Sequence, residues 1–136
     1  FKAGNPLYQD VLYLNDGAGN FTLAEDALPE MFANGSCVKA ADFDGDGDLD
    51  LFVGSRVLPS AYPLPDRSYL LRNDSEGNQV KFTDVTESLC SALVEPGLIS
   101  DALWTDFNND NQPDLVLAGS SRIREVLFPK LRKPVG

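Results

Sequence analysis

The sequence predicts an all-β chain assembled from repeated units of short antiparallel strands. Three observations carry that reading. A dense acidic stretch, "DFDGDGDLDL" at residues 42–51, returns in diluted form as "DFNNDNQPDL" at 106–115. The flanking segments recur as well: residues 36–55 align with 100–119 at an offset of 64, and 11–22 resemble 69–83. Finally, short apolar runs stand between clusters of Gly, Asn, Asp and Pro, with no sustained helical period.

Each element follows from its local pattern. "VLYLND" (11–16), the turn "GAGN" and "FTLAE" form a hairpin. "DALPEMF" (26–32) is a connection. "VKAADF" runs into the first acidic loop and "DLFVGS" runs out of it, as two strands. The triple-proline segment "SRVLPSAYPLPDR" (55–67) is a loop between the second and third strands of that unit. "SYLLRND" then turns through Ser-Glu-Gly-Asn into "VKFTDVT", a second hairpin. "ESLCSALVEPG" (87–97) is a connection with room for one short helical turn, after which "ALWTDF" and "DLVLAG" flank the second loop.

Four short strands per unit of roughly 60 residues, repeated with the same loop in the same place, predict β-propeller-type four-stranded blades. A sandwich would supply short strands but no reason for the loop to recur. The chain divides into residues 1–35, the second half of a blade with its connection; 36–99, one complete blade with loop 42–50; 100–121, the first half of a further blade with loop 106–114; and a basic tail, 122–136. That is about two blades' worth, incomplete as a ring, since a closed propeller takes at least about four. The tail concentrates Arg122, Arg124, Lys130, Arg132 and Lys133, and its "EVLF" is a candidate for one more strand.

Composition narrows the function classes. The 136 residues suffice for one modest core. With 21 acidic against 11 basic residues the net charge is −10, which favours cations and disfavours nucleic acid and anionic membranes. No apolar run approaches the roughly 20 residues of a membrane helix, so membrane insertion is not expected. The absence of histidine removes the commonest general base and every His-dependent triad. Cys37 and Cys90 lack metal-site spacing, and a disulfide and two buried thiols stay open as readings. A first residue of Phe rather than Met reads as a mature or excised piece. Phe43, Trp104 and Phe107 are expected to pack in the core.

The acidic loops read as metal sites. Hard cations such as Ca2+ take six to eight oxygen ligands, which alternating aspartates on a tight turn supply. In the first loop Asp42, Asp44 and Asp46 offer side chains, Asp48 its backbone carbonyl and Asp50 a closing carboxylate, with Gly47 permitting the sharp turn. In the second, Asp106, Asn108, Asp110 and Asp114 fill the side-chain positions and Gln112 offers a carbonyl. Asn111 replaces the turn glycine, and asparagine tolerates the left-handed conformation. With fewer carboxylates this second site is expected to bind more weakly. An EF-hand requires a bidentate Glu at the twelfth position and a following helix, but Val53 and a strand stand there. A mixed carboxylate and carbonyl cage suits Ca2+ better than Mg2+ or Mn2+.

The Asp-Phe-Asp-Gly-Asp-Gly-Asp-Leu-Asp-Leu loop between strands resembles the FG-GAP or VCBS repeat, the calcium-binding blade also found in integrin α-subunit propellers. "LYLNDGAGNFT", "YPLPDRSYLLRND", "FTDVT" and "DALWTDFNNDNQPDL" further resemble bacterial surface VCBS-repeat proteins of the ASPIC/UnbV-associated type, over roughly residues 7–119. The resemblance implies an extracellular or cell-surface location and a non-catalytic binding, adhesion or structural role, with protein or carbohydrate as ligand. It assigns metal ligation to the ten loop residues above, in two Ca2+ sites. The alternative reading is an accessory propeller segment of a larger extracellular carbohydrate-active enzyme. Two units cannot close a ring, so the chain is expected either to assemble as a homo-oligomer of three or four copies or to adjoin further blades of a parent protein.

Overall fold

Short strands joined by Asn-, Asp- and Gly-rich turns fold back on their neighbours, and among the described residues of the computed structural model nine such strands make three antiparallel sheets. It describes residues 4–120 and the strand at 123–126. The first sheet is the hairpin β1 (Tyr13–Asn15) and β2 (Phe21–Leu23). The second has four strands in sequential order: β3 (Gly35–Ala41), β4 (Asp50–Ser55), β5 (Tyr69–Asn73) and β6 (Phe82–Asp84). The third holds β7 (Ile99–Thr105), β8 (Asp114–Gly119) and β9 (Ile123–Val126). The all-β, blade-like and open architecture is the one expected. Strand β9 lies in the segment set apart as a tail, and it takes in the first two residues of "EVLF". The rest of that tail lies outside the described residues.

The turns are held by side chains that accept from nearby backbone. In the first hairpin the Asp16 carboxylate accepts from the N–H groups of Ala18 (2.7 Å) and Asn20 (3.1 Å). The second closes through a Glu76–Gln79 bridge. The 87–97 connection contains the short helix α1 (Thr86–Cys90) and a 3-10 turn over Ser91–Leu93. Residues 26–32 stay irregular, stitched down by Gln9, whose amide donates to Pro29 O (3.1 Å) and accepts from Met31 N (2.9 Å).

The two inner strands of the four-stranded sheet, β4 and β5, are largely buried on both faces, whereas β3 is partly exposed. Because side chains alternate along a strand, Phe52 and Leu70 point to one side, and Val53, Tyr69 and Leu71 to the other. The first side packs with Phe43, Val85 and Leu93 against Ile99, Ala102, Leu115 and Leu117 of the third sheet. The second gathers Met31, Ala33 and Phe82, with Leu12 and Leu28 of the first unit against it. Such burial contributes roughly 1.5–3 kcal/mol per large apolar side chain. A salt bridge from Lys39 Nζ to Asp101 Oδ1 (2.8 Å) ties β3 to β7, raising the lysine pKa and lowering that of the aspartate.

Gly54 marks the closest approach of the sheets. A Cβ there would lie 2.8 Å from Cys37 Sγ and 3.0 Å from Ile99 Cγ2. Cys37 and Cys90 are free and half-buried, which decides the open choice in favour of thiols, and burial pushes the Cys90 thiol up. Phe43 packs as expected, stacked on Trp104 with ring centroids 6.1 Å apart. Phe107 does not: it is 63% exposed, because no further sheet stands beyond β7 and β8 to cover it among the described residues.

The packing sets two expectations. Leu70→Ala empties a fully buried position and should destabilise by about 2–5 kcal/mol in urea unfolding. Gly54→Ala should cost about 1–3 kcal/mol through overpacking, whereas the exposed Leu14→Ala should leave the midpoint nearly unchanged.

Candidate metal centre

Two left-handed glycines fold the first acidic loop around its own carboxylates. Gly45 and Gly47 adopt φ of 77° and 98°, a region that costs glycine little. The loop backbone then turns its N–H groups inward. Asp42 Oδ1 accepts from Gly45 N (2.7 Å) and Asp46 N (3.1 Å), and Asp42 Oδ2 from Gly47 N (3.0 Å). Asp44 accepts from Asp46 N (3.2 Å), and Asp46 from Asp48 N (3.1 Å).

Asp50 closes the loop from the first position of β4 and is fully buried. Its Oδ2 accepts from Phe43 N (3.0 Å) and its Oδ1 from Asn73 N on β5 (2.8 Å). The Asn73 side-chain amide in turn donates to Leu49 O (3.1 Å). The Asp50 pKa is raised to about 6: burial raises it most, the two backbone bonds pull it down, and the charges of Asp44 and Asp46 push it up. Those two charges thus disfavour ionisation of Asp50, a penalty that a cation would relieve.

Ligand atoms of Asp42, Asp44 and Asp50 lie within 4.8 Å of one another, a trio that could hold a metal ion. Of the five positions expected in this loop the structure gathers these three. Asp46 and Asp48 are exposed and stand outside the trio; the contribution expected of Asp48 is its backbone carbonyl.

The second loop repeats the backbone scheme on different residues. Asn109 and Asn111 take the left-handed positions with φ of 59° and 62°, as expected for Asn111. Asp106 accepts from Asp110 N (3.0 Å) and Asn111 N (2.9 Å), Asn108 from Asp110 N (3.0 Å), and Asp110 from Gln112 N (2.9 Å). The buried Asp114 accepts from Phe107 N (2.9 Å) and, at 3.4 Å, from Asn108 N. Gln112 turns its amide nitrogen to Asn111 O (3.3 Å). Among the described residues no trio of acids gathers here, and Asp106, Asn108 and Asp110 are exposed.

Sequence reasoning missed Asn73. Its signal was present in the recurrence of Asn-Asp at 15–16 and 73–74, downstream of a strand in each case. Only the sheet pairing shows that this residue anchors the loop's closing carboxylate.

Comparison with known families agrees with this geometry. Residues 3–53 match the FG-GAP-like repeat, a stretch that spans the first hairpin, β3, the first acidic loop and the start of β4. The match covers well under half of the chain and suggests a propeller-type repeat segment there. No curated protein and no solved structure matches the chain. No helix among the described residues is long and apolar enough to cross a membrane.

The raised Asp50 pKa has a definite sign. The folded chain holds this proton more tightly than the unfolded chain, so metal-free stability falls as pH rises from about 4 to about 6. In EDTA, the unfolding free energy of wild type should therefore decline across that window by on the order of 2 kcal/mol relative to Asp50→Asn. Parallel urea titrations of the two proteins between pH 4 and pH 7 test this; superimposable pH slopes would refute it.

Proposed function

We propose that this chain is a calcium-binding segment of a β-propeller, serving a non-catalytic binding, adhesion or structural role in an extracellular or cell-surface protein. The observation that carries the reading is the first loop. Asp42, Asp44 and Asp50 converge there, on a backbone shaped by two left-handed glycines, within an FG-GAP-like repeat. The donor set is all oxygen, which suits a hard cation. Asp42, Asp44, Asp46 and Asp50 would bind through side chains and Asp48 through its carbonyl. Asp106, Asn108, Asp110, Gln112 and Asp114 would form the second, weaker site.

Bound calcium would supply charge neutralisation and cross-link the loop, and a cage with its ligation filled leaves little room to activate water. The role of the metal is therefore structural, holding the β3–β4 and β7–β8 turns in shape. The ligand of the propeller, protein or carbohydrate, would be met by the assembled blades.

A thermal melt tests this. In excess EDTA and then in millimolar CaCl2, a rise of several degrees is expected, because ligand at 100 times Kd adds about 2.7 kcal/mol. MgCl2 at the same concentration should do much less, and Asp46→Ala/Asp110→Ala should abolish the calcium response. A folded protein whose melting temperature ignores calcium would reduce the aspartates to a solvated turn.

A further inference from the structure

We propose that the Arg72–Asp74 ion pair tunes the cation affinity of the first acidic loop: Asp74 grips the Arg72 guanidinium by both oxygens and so keeps its charge from competing for the carboxylates of Asp44 and Asp50. The inference rests on the metal-site reading above and adds a regulator of that site from outside its ligand set.

Strand register puts the arginine beside the loop. β4 and β5 pair through Leu51↔Leu71, so one step further along Asp50 and Arg72 stand opposite each other at the strand ends. Residues directly opposite on antiparallel strands project to the same face, with Cβ atoms roughly 4.5–5.5 Å apart. By alternation this is the face that carries Phe52 and Leu70. The backbones are close there as well: Asn73, next to Arg72, donates its N–H to Asp50 Oδ1 (2.8 Å).

A guanidinium in that place has two sets of carboxylates to choose from. Its charge is permanent and its planar fork matches a carboxylate. The bonds to Asp74 raise its pKa most, burial lowers it, and the charges of Asp74, Asp44 and Asp50 raise it further. Seated on Asp44 or Asp50 instead, the fork would occupy lone pairs that a metal needs and would repel the metal.

Asp74 prevents this. Its Oδ1 accepts from Arg72 Nε (2.8 Å) and its Oδ2 from Arg72 Nη2 (3.0 Å). Among the described residues both hydrogen bonds of the Arg72 side chain go to this one carboxylate. The two side chains are 35% and 31% exposed, so water screens the pair less than it would a pair on the open surface.

The turn itself does not require the clamp. The internal repeat sets Leu14 at the place of Arg72 and Asp16 at that of Asp74. In that hairpin the Asp16 carboxylate holds the turn, accepting from Ala18 N, Asn20 N and Asn20 Nδ2 (2.6 Å). In the later hairpin the Ser75 hydroxyl accepts from Lys81 N (3.0 Å), and Asp74 turns both oxygens to Arg72. Arginine and clamp occur together, on the strand that flanks the acidic loop.

The two members of the pair therefore act on the loop with opposite signs. Calcium titration calorimetry on the full chain tests this, in an Asp110→Ala background that leaves the first loop as the site titrated. Arg72→Gln should tighten calcium binding and Asp74→Asn should weaken it, each by a factor on the order of ten at low salt. The double variant should return close to the parent. Arg72→Leu, which installs the residue found at position 14, should act like Arg72→Gln. In 1 M NaCl, where the Debye length falls to about 3 Å, both shifts should shrink. A merely structural pair predicts otherwise, since either single substitution would loosen the loop and weaken binding. Single variants that both weaken calcium binding, or that both leave it unchanged, overturn the proposal and leave the calcium reading standing. A folded parent that takes up no calcium overturns both.

Discussion

The buried carboxylate of Asp50 is the constraint from which the rest of the molecule follows. A fully buried acid is tolerable only where its oxygens find donors, and Asp50 finds one on each: Phe43 N at the start of the loop and Asn73 N on β5. These two bonds fix the entry of the loop, its exit and the neighbouring strand to one point. With that point set, the loop can turn only through left-handed residues at 45 and 47, and Asp42 and Asp44 are carried to the same side as Asp50. The same two bonds hold down a pKa that burial and neighbouring charges push up. The residue that anchors the loop is therefore also one of the trio that could hold a metal ion.

Around that point the four-stranded sheet is a layer between two others. Phe52 and Leu70 face the third sheet, Tyr69 and Leu71 face the first unit, and Gly54 lets the layers approach. The inner strands β4 and β5, largely buried on both faces, have little solvent side on which to place polar residues, so polar groups gather at the strand ends. The acidic loops lie there. The two loops share this plan: Asp50 accepts from Phe43 N and from Asn73 N on β5, and Asp114 accepts from Phe107 N at the corresponding place.

Much of this was legible residue by residue. The repeat of residues 36–55 at 100–119 gave the strand pairs on either side of each loop, and Asn-Asp followed by Gly-containing turns gave both hairpins. Asn111 was readable as a left-handed residue because its side chain suits that conformation, and the structure has it at φ 62°. The third strand of the last sheet was hard to read, because Arg124 and Glu125 interrupt the apolar alternation that marks a strand; its place against β8 comes from pairing.

By itself the sequence determined whatever is encoded within a few residues or by recurrence: the all-β class, the order of the strands, the two acidic turns and the residues that allow them to turn. Only the tertiary structure decided what depends on a neighbour distant in the chain. Phe43 and Phe107 occupy matching places in the repeat, yet one is 2% and the other 63% exposed, because a sheet covers the first and none among the described residues covers the second. The Asn73 donor to Asp50 spans 23 residues of chain. Local pattern fixes conformation, but burial and long-range hydrogen bonds are properties of the assembled layers.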